Sequence, residues 1–347
     1  MQIDTSIITI AKELDINDQQ VTAVASLLSE GATIPFIARY RKEATGTLDE
    51  VAVTAIRDRL NQLRDLQERR ETILKSLDKH GHLTDELRKK VFGAETLGTL
   101  EDIYLPYKPK RRTRAVIAKE KGLEPLALLI MEQKGINPAQ AAIEYVNPEK
   151  QVETIDDALA GARDIIAEFI NENDGARSRL RDLFFNRAKI KSRAVADMEE
   201  KGSKFKDYFE WEEPITRVPS HRMLAIRRGE REKVLIMDIL PEEEDAIAIL
   251  DDLFVKGDAA DSDQVKMAAI DGYKRLLSRS METETRLYVK ERADTEAIRI
   301  FVENLRQLLL SPPLGAKRVM GIDPGFRTGC KLVCMDRQGT LLHHDTI

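Results

Sequence analysis

A change in hydrophobic period near residue 317 constrains the fold of this chain more than any other feature. Before that point, apolar residues recur every three to four positions, which is the period of an amphipathic α-helix. After it, short apolar runs alternate with turn residues, in the sequence KRVMGIDPGFRTGCKLVCMDRQGTLLHHDTI. This pattern predicts strands over 318–323, 329–335 and 340–347, with Gly339 in the left-handed position of a tight hairpin. We therefore expect a mainly α chain whose last residues form three consecutive strands, the opening of a larger domain.

A helix-turn-helix-like arrangement is predicted in the first forty residues. Helices over 3–14 and 18–30 are followed by a short, basic third helix. The apolar side chains of this third helix are expected to face inward, and they are Phe36, Ile37 and Tyr40. Arg39 and Lys42 are then exposed, which makes them candidate nucleic-acid contacts. The alternative is that Arg39 pairs with Glu43 and that the helix serves packing alone.

Long helices are predicted to form most of the body. The longest is expected over 49–80, and at ~1.5 Å per residue it would span about 45 Å. Two more are expected over 263–280 and 282–310, and the Ser-Pro-Pro-Leu-Gly sequence of residues 311–315 then marks the clearest domain boundary. The remaining predicted elements are helices over 156–173 and 175–188, a helix capped by Ser220 and ended by Gly229, and a lone strand over 234–240.

An extended, positively charged loop is predicted over residues 100–114, LEDIYLPYKPKRRTR. Prolines keep such a segment extended and at the surface, and aromatic residues beside cations suit stacking on bases and contacts with phosphates. The candidate contacts are Lys108, Lys110, Arg111, Arg112 and Arg114. The alternative is that Tyr104 and Tyr107 anchor the loop in a core while the cations pair with acidic neighbours. A second basic site is expected on the helix after Ser220, at Arg222, Arg227 and Arg228.

Composition limits the kinds of partner that this chain can have. With 60 acidic and 55 basic residues the net charge is −5, so any attraction to nucleic acid must come from local patches. No apolar run approaches the ~20 residues of a membrane span, and the acidic N-terminus does not read as a signal peptide.

Cys330 and Cys334 are expected about 13 Å apart along one strand, which is too far for a disulfide or a shared metal. Free thiols of this kind suit a reducing cytoplasm.

The common sequence signatures of catalysis are missing. The patterns GxxxxGK[ST], GxGxxG, GxSxG, HExxH and CxxC do not occur, so no cofactor and no metal site is predicted. The one catalytic candidate is Asp323, which follows a predicted strand and precedes Pro324 and Gly325. Because glycine lets phosphate or metal approach, such an aspartate can hold Mg²⁺ together with further carboxylates, as in a two-metal nuclease. The alternative is that Asp323 only caps a turn.

Four stretches of the sequence resemble the Tex family of bacterial transcription accessory proteins. They are IPFIARYRKEATGTLDE (34–50), LEDIYLPYKPKRRTR (100–114), KFKDYFEWEEPITRVPSHRMLAIRRGE (204–230) and GIDPGFRTG (321–329). The last of them resembles the start of the family's RNase H-like (YqgF-type) domain. The stretches follow the family's order along most of the chain. The helix-hairpin-helix modules and the OB-fold RNA-binding domain of full-length members have no counterpart in these 347 residues.

The resemblance implies a nucleic-acid-binding transcription accessory factor of the bacterial cytoplasm. RNA or DNA is expected to bind weakly to these residues, and RNA polymerase or an elongation factor is a possible further partner. The family's RNase H-like domain is regarded as having lost the full carboxylate set of the related resolvase-type enzymes, so no catalysis is expected. Two alternatives stay open: a Mg²⁺-dependent, RNase H-like nuclease that uses Asp323, and a protein-docking scaffold without nucleic-acid contact.

Three domains are expected on the same grounds. A helical region with helix-turn-helix-like elements covers 1–190, and a central helical region with a short strand covers 191–314. The start of the α/β RNase H-like domain, with its first three strands, covers 315–347.

Overall fold

The computed structural model describes residues 2–109, 112–325 and 329–347, with side chains from residue 6 onward. The described residues are mainly α-helical with two small sheets, as the sequence predicts. The chain divides into two compact units, namely Met1–Lys189 with Ile239–Thr285, and Ile190–Asp238 with Arg286–Ile347. The three expected domains stay a prediction. Within the described residues, every helix is too short or too polar to span a lipid bilayer.

The first unit opens with helices that surround two apolar clusters. These helices are α1 (Gln2–Leu14), α2 (Asp18–Ser29), α3 (Ile34–Tyr40), α4 (Lys42–Thr45), α5 (Glu50–Lys79), α6 (Asp85–Gly93) and α7 (Leu97–Tyr104). A capping box starts α2, because the Asn17 side chain accepts a hydrogen bond from the backbone N–H of Gln19 while the Gln20 side chain accepts from that of Asn17. The buried residues of the first cluster include Ile10, Val21, Ile37 and Ile56.

The exposed face of α3 corrects one prediction. Ile37 and Ala38 are buried as expected of core residues, but Phe36 is 39% exposed and Tyr40 is 66% exposed. Phe36 and Tyr40 lie four residues apart and therefore share one face of the helix, which is not the face that Ile37 turns to the core. The predicted order of helix, turn and short basic helix is found in α2 and α3.

The long helix α5 confirms the pattern of residues 49–80 to within one residue at each end. The Asp49 side chain caps it by accepting a hydrogen bond from the backbone N–H of Ala52 at 2.8 Å. The first half of α5 packs in the N-terminal cluster. The second half packs against α6 and α7 through the buried side chains of Ile73 and Leu77. One helix thus carries two small cores.

The largest core of the first unit forms around a central helix, α11. The helices that lead up to it and follow it are α8 (Arg114–Glu120), α9 (Glu124–Glu132), α10 (Pro138–Ala142), α11 (Ile155–Asn171) and α12 (Asp174–Arg187). Thr154 and Asp157 form a capping box that starts α11. The large buried side chains of this core include Leu126, Ile130, Ile166, Ile170 and Phe184.

Three short strands form the first sheet of the chain. They are β1 (Lys189–Ala194), β2 (Glu210–Pro214) and β3 (Leu235–Leu240), in the order β2-β1-β3. Residues 234–240 are therefore not a lone strand, because β3 pairs with β1.

Helix α13 (Ser220–Arg231) lies between β2 and β3 in the chain. Ser220 begins this helix without capping it by a side-chain hydrogen bond. Gly229 lies inside α13 instead of ending it. A Cβ at this position would lie 2.5 Å from the Leu235 side chain, and only glycine permits this close packing.

Helix α14 (Glu243–Phe254) follows the first sheet. A continuous helical stretch then comprises α15 (Ala260–Gly272), a π-helical segment (Tyr273–Leu277) and α16 (Ser278–Leu309). The break predicted near residue 281 is wrong, because the backbone stays helical from Ala260 to Leu309. The π-helical segment lies inside the predicted helix 263–280 and takes up an extra residue without breaking it. Helix α16 ends at Leu309, just before the domain boundary predicted over 311–315, which stays a prediction.

The strands predicted after residue 317 are confirmed as an antiparallel sheet. They are β4 (Val319–Asp323), β5 (Lys331–Met335) and β6 (Leu341–Thr346), paired in chain order. Gly339 has φ +84°, the left-handed conformation expected of the hairpin. The Asp336 side chain closes this turn by accepting hydrogen bonds from the backbone N–H groups of Gln338 at 2.9 Å and Thr340 at 2.8 Å.

Candidate nucleic-acid interface

Residues 108–114, which we call the cationic segment, are shorter than the loop predicted over 100–114. Leu97–Tyr104 is helical, and Leu105–Tyr107 adds a turn of 3₁₀ helix before the segment begins. The helix forms because Thr96 caps it, accepting a hydrogen bond from the backbone N–H of Thr99 at 3.1 Å. The segment ends where Thr113 caps α8, accepting from the backbone N–H of Val116 at 3.1 Å. It therefore runs between two fixed helix ends.

The two tyrosines before the cationic segment have different surroundings. Tyr104 is only 6% exposed, and its hydroxyl group lies 2.8 Å from that of Ser76. Tyr107 is exposed, and its ring centroid lies 5.6 Å from that of His82. The alternative in which tyrosines anchor the loop in a core therefore holds for Tyr104. Of the two rings, only that of Tyr107 is accessible to a base.

The cations of the segment are exposed wherever the structure describes them. Arg112 pairs with Glu120 at 2.9 Å, and both side chains are more than half exposed. Lys108 and Arg114 are exposed and lie within 4.0 Å of no carboxylate in the described part of the chain. Lys110 and Arg111, the other two candidates, lie outside the described residues. The positive charge of the segment is thus only partly neutralised by its own protein.

A cavity of about 410 Å³ lies beside the cationic segment and is lined by Lys108, Arg114 and the carboxylates of α11. The Thr113 hydroxyl donates a hydrogen bond to the buried Glu168 side chain at 2.9 Å, which fixes the end of the segment to α11. On the same helix, Asp164 accepts from Arg275 at 3.1 Å. Burial raises the pKa of the Asp164 carboxyl group in spite of this guanidinium. The cationic segment therefore lies beside a cavity wall that carries both positive and negative side chains, and sequence spacing does not reveal this.

The predicted cations of the helix-turn-helix-like region lie at the surface. Arg39 pairs with Glu50 at 3.0 Å rather than with Glu43, and both partners are well exposed. Lys42 is exposed, and no carboxylate of the described residues lies within 4.0 Å of it. Arg41, which sequence reasoning did not single out, places its guanidinium carbon 5.2 Å from the centroid of the Phe36 ring. This contact could not be expected while Phe36 was assigned to the core.

The second predicted basic site is paired throughout. Each of its three arginines contacts a glutamate of the same unit. The pairs are Arg222 with Glu213, Arg227 with Glu230, and Arg228 with Glu232. Lys204 and Arg228 together hold the pKa of the Glu232 carboxyl group below its ordinary value. These arginines stay predicted contacts, but less of their charge is available to a phosphate than at Lys108.

Asp323 occupies the predicted position at the end of β4. Its backbone pairs in register with Lys331, and its side chain is exposed. Residues 326–328, which follow it, lie outside the described residues. Among the described residues, no group of three or more histidines, cysteines or carboxylates could hold a metal ion. Cys330 and Cys334 are free thiols.

Three family models match the chain in sequence order. Residues 4–78 match the Tex-like protein N-terminal domain, residues 133–301 match the Tex central region-like model, and residues 317–347 match the Tex protein YqgF-like domain. The cationic segment lies between the first two matched regions, whereas α3 lies inside the first.

Curated relatives match over nearly the whole chain. Protein YdcI of Bacillus subtilis is 43% identical over 343 residues, which cover 97% of this chain and 47% of YdcI. The transcriptional accessory protein Tex of Neisseria gonorrhoeae is 40% identical over 349 residues, covering 97% of this chain and 45% of that protein. S1 RNA-binding domain-containing protein 1 of Pongo abelii is 29% identical over 355 residues, covering 97% of this chain and 35% of that protein. The chain spans about half the length of the bacterial relatives.

Proposed function

This chain belongs to the Tex family, and from that membership we propose that it is a transcription accessory factor that contacts RNA or DNA through its cationic segment. The cytoplasmic location that the family implies is part of the same proposal. RNA polymerase or an elongation factor is the expected protein partner. A relative named for an S1 RNA-binding domain supports the nucleic-acid part of the proposal.

The observation that carries the proposal is the exposure of Lys108 and Arg114 on a segment that is fixed at both ends. A phosphate can approach these cations without first displacing a carboxylate. Arg112 adds to them, because an exposed ion pair is worth only ~0–1 kcal/mol and is readily exchanged for a phosphate contact. In a chain of net charge −5, such a local patch is the source of attraction that the overall charge does not supply.

The test is a binding titration of the full chain with fluorescent RNA and DNA oligonucleotides at several salt concentrations. Each phosphate contact steepens the dependence of log K on log salt by about 0.7 to 0.9. Lys108→Glu combined with Arg112→Glu should weaken binding at least about tenfold and reduce that slope by roughly 2. Unchanged affinity and slope would rule out the cationic segment as the contact.

Lys134→Glu combined with Lys266→Glu is the matched control. Both lysines lie in the same unit and pair with carboxylates, Lys134 with Glu132 and Lys266 with Asp251. The control changes the net charge by the same amount as the test variant but leaves the cationic segment intact. Its salt slope should equal that of the wild type.

A second candidate function, protein docking, is favoured by the exposed apolar side chains near the end of α16. Ile298, Phe301, Leu305 and Leu308 are spaced by three and four residues on one helix face, and each is at least 40% exposed. Co-migration of the chain with purified RNA polymerase after nuclease treatment would favour docking. Loss of the complex on nuclease treatment would favour the nucleic-acid function.

The nuclease alternative depends on Asp323. Cleavage of branched DNA by the chain in the presence of Mg²⁺, abolished by Asp323→Asn, would replace the proposed function by an enzymatic one. The transcription accessory relatives favour a non-enzymatic role, so we expect no cleavage.

A further inference from the structure

Two aromatic rings stand at the surface of α3, although aromatic residues make up only 5% of the chain. The ring centroids of Phe36 and Tyr40 lie 5.7 Å apart, with 43° between the ring planes. Burial of Ile37 and Ala38 already attaches α3 to the core. The two rings are therefore not the main attachment of this short helix, and part of each ring is open to solvent.

Positive side chains follow these rings directly in the sequence. The Arg41 guanidinium lies over the Phe36 ring at 5.2 Å, and its contact with Glu43 is long, at 3.9 Å. Lys42 is exposed and, among the described residues, lies within 4.0 Å of no carboxylate. Of the three cations nearest the rings in sequence, Arg41 and Lys42 are thus weakly neutralised, whereas Arg39 is paired with Glu50.

The acidic residues of this surface have other contacts. Glu50 pairs with Arg39 at 3.0 Å, and Asp49 accepts a hydrogen bond from the backbone N–H of Ala52 at 2.8 Å. Within the part of the chain that the structure describes, Glu43 has only its long contact with Arg41. An anionic ligand that reaches Arg41 and Lys42 therefore competes with one loosely held carboxylate.

We propose that Phe36 and Tyr40 form a stacking platform for the unpaired bases of a single-stranded nucleic acid, whose phosphates contact Arg41 and Lys42. This proposal rests on the proposed function and names the strand form that the chain prefers. Aromatic rings stack on bases only when the bases are not already stacked in a duplex, and an adjacent arginine adds cation–π attraction. RNA and DNA share this chemistry, because every base has a π-face.

A protein partner fits this surface less well. The exposed residues beside the rings in sequence are Pro35, Arg39, Arg41, Lys42 and Glu43, and four of these five carry a charge. The centre of a protein interface is usually depleted of charged residues. The positive charge of Arg41 and Lys42 and the exposure of the two rings together therefore favour a nucleic acid, which offers phosphates to the cations and bases to the rings.

The experiment uses the full chain and oligonucleotides of one sequence that carry 2-aminopurine, whose fluorescence changes on stacking. Single-stranded RNA, single-stranded DNA and duplex DNA are titrated against the wild type and against Phe36→Leu with Tyr40→Leu. Leucine keeps the apolar bulk but removes the π-face. Phe92→Leu is the control, because Phe92 is 51% exposed on α6 in the same unit. Circular dichroism and urea midpoints check that all variants fold.

The double variant should bind single strands at least about tenfold more weakly, lose the fluorescence change, and bind duplex DNA as the wild type does. The Phe92 control should match the wild type throughout. Single-strand binding and fluorescence that survive in the double variant would overturn it, and so would equal losses for single strands and duplex.

The same titrations separate this proposal from the function on which it rests. A wild-type chain that binds none of the oligonucleotides overturns both. The platform alone is overturned by a different combination of results. In that case the wild type binds the oligonucleotides, the variant with Lys108→Glu and Arg112→Glu binds them more weakly, and the ring variant binds them as the wild type does. If the ring variant instead loses affinity for purified RNA polymerase while it binds oligonucleotides normally, the platform is replaced by a protein contact.

Discussion

The hydroxyl group of Tyr104 lies 2.8 Å from that of Ser76 and joins the end of α7 to the last turn of α5. This contact fixes the position from which the cationic segment leaves the core. Tyr104→Phe removes the hydrogen bond alone and should lower the free energy of unfolding by about 1 kcal/mol. Urea denaturation followed by circular dichroism measures the loss. Tyr107→Phe, at an exposed ring, should change it by less than about 0.5 kcal/mol, and equal losses would contradict the assignment.

Helix α12 offers a comparison between a buried and an exposed ion pair. Arg177 donates to Asp102, and the two side chains are only 8% and 7% exposed, whereas Arg179 pairs with Asp252 where both are more than half exposed. Arg177→Ala leaves a buried carboxylate with one partner fewer, so it should cost about 3 kcal/mol of unfolding free energy. Arg179→Ala should cost less than about 1 kcal/mol. Similar urea midpoints for the two variants would show that burial is not decisive here.

Gly229 should not tolerate a methyl group. In Gly229→Ala the new Cβ would lie 2.5 Å from the Leu235 side chain, so overpacking should destabilise by about 1–3 kcal/mol although alanine favours helix. Gly93→Ala is the matched control, because nothing lies within 4 Å of a Cβ there. The control should be neutral or stabilise by up to about 1 kcal/mol. Thermal unfolding of both variants measures the difference, and a stabilised Gly229→Ala would contradict the close packing.

Glu120 restrains one cation of the proposed interface. Glu120→Gln removes the carboxylate that Arg112 contacts at 2.9 Å, so affinity for an oligonucleotide should rise about two- to fivefold at low salt. Glu124→Gln makes the same change of charge beside Lys119, which lies outside the cationic segment. A smaller gain is expected for it in the same anisotropy titration. Equal gains would mean that only the net charge matters.

Alkaline pH should act on the buried Tyr273. Burial raises the pKa of its hydroxyl group from 10.0 to about 12. Because the folded pKa is the higher one, the stability that the neutral phenol contributes is fully present below pH 10.0 and is lost as pH rises toward about 12. Tyr273→Phe should therefore match the wild type at pH 7 and lose less stability between pH 10 and 12. Urea midpoints across this range measure it, and parallel curves would show that Tyr273 does not contribute.

Sequence patterns predicted elements well where the local signal and the tertiary packing agree. The Asp49 cap and the apolar period placed α5 to within one residue, and Gly339 placed the last hairpin. The pattern failed on α3, because the spacing of Phe36 and Tyr40 looks like a core stripe and only tertiary packing shows that Ile37 faces the core. It failed again near residue 281, where the backbone of α16 is helical throughout.

The candidate interface was predictable only in part. The run of lysines and arginines over 108–114 marks the cationic segment without any structure. The carboxylates beside the segment could not be predicted from the sequence. Asp164 and Glu168 lie some fifty residues further along the chain and meet the segment only through the packing of α11. The aromatic platform was hidden for the same reason as the exposed face of α3.

The π-helical segment Tyr273–Leu277 has a consequence for how this helix tolerates length changes. A π-turn holds about one residue more than an α-turn, so loss of one residue there would restore an ordinary α-helix instead of breaking it. Because the π-turn absorbs that extra residue, its loss would keep the helix on either side in the same rotational register. A single-codon deletion at this point should therefore leave both the helix content and the burial of Met281 and Thr285 intact.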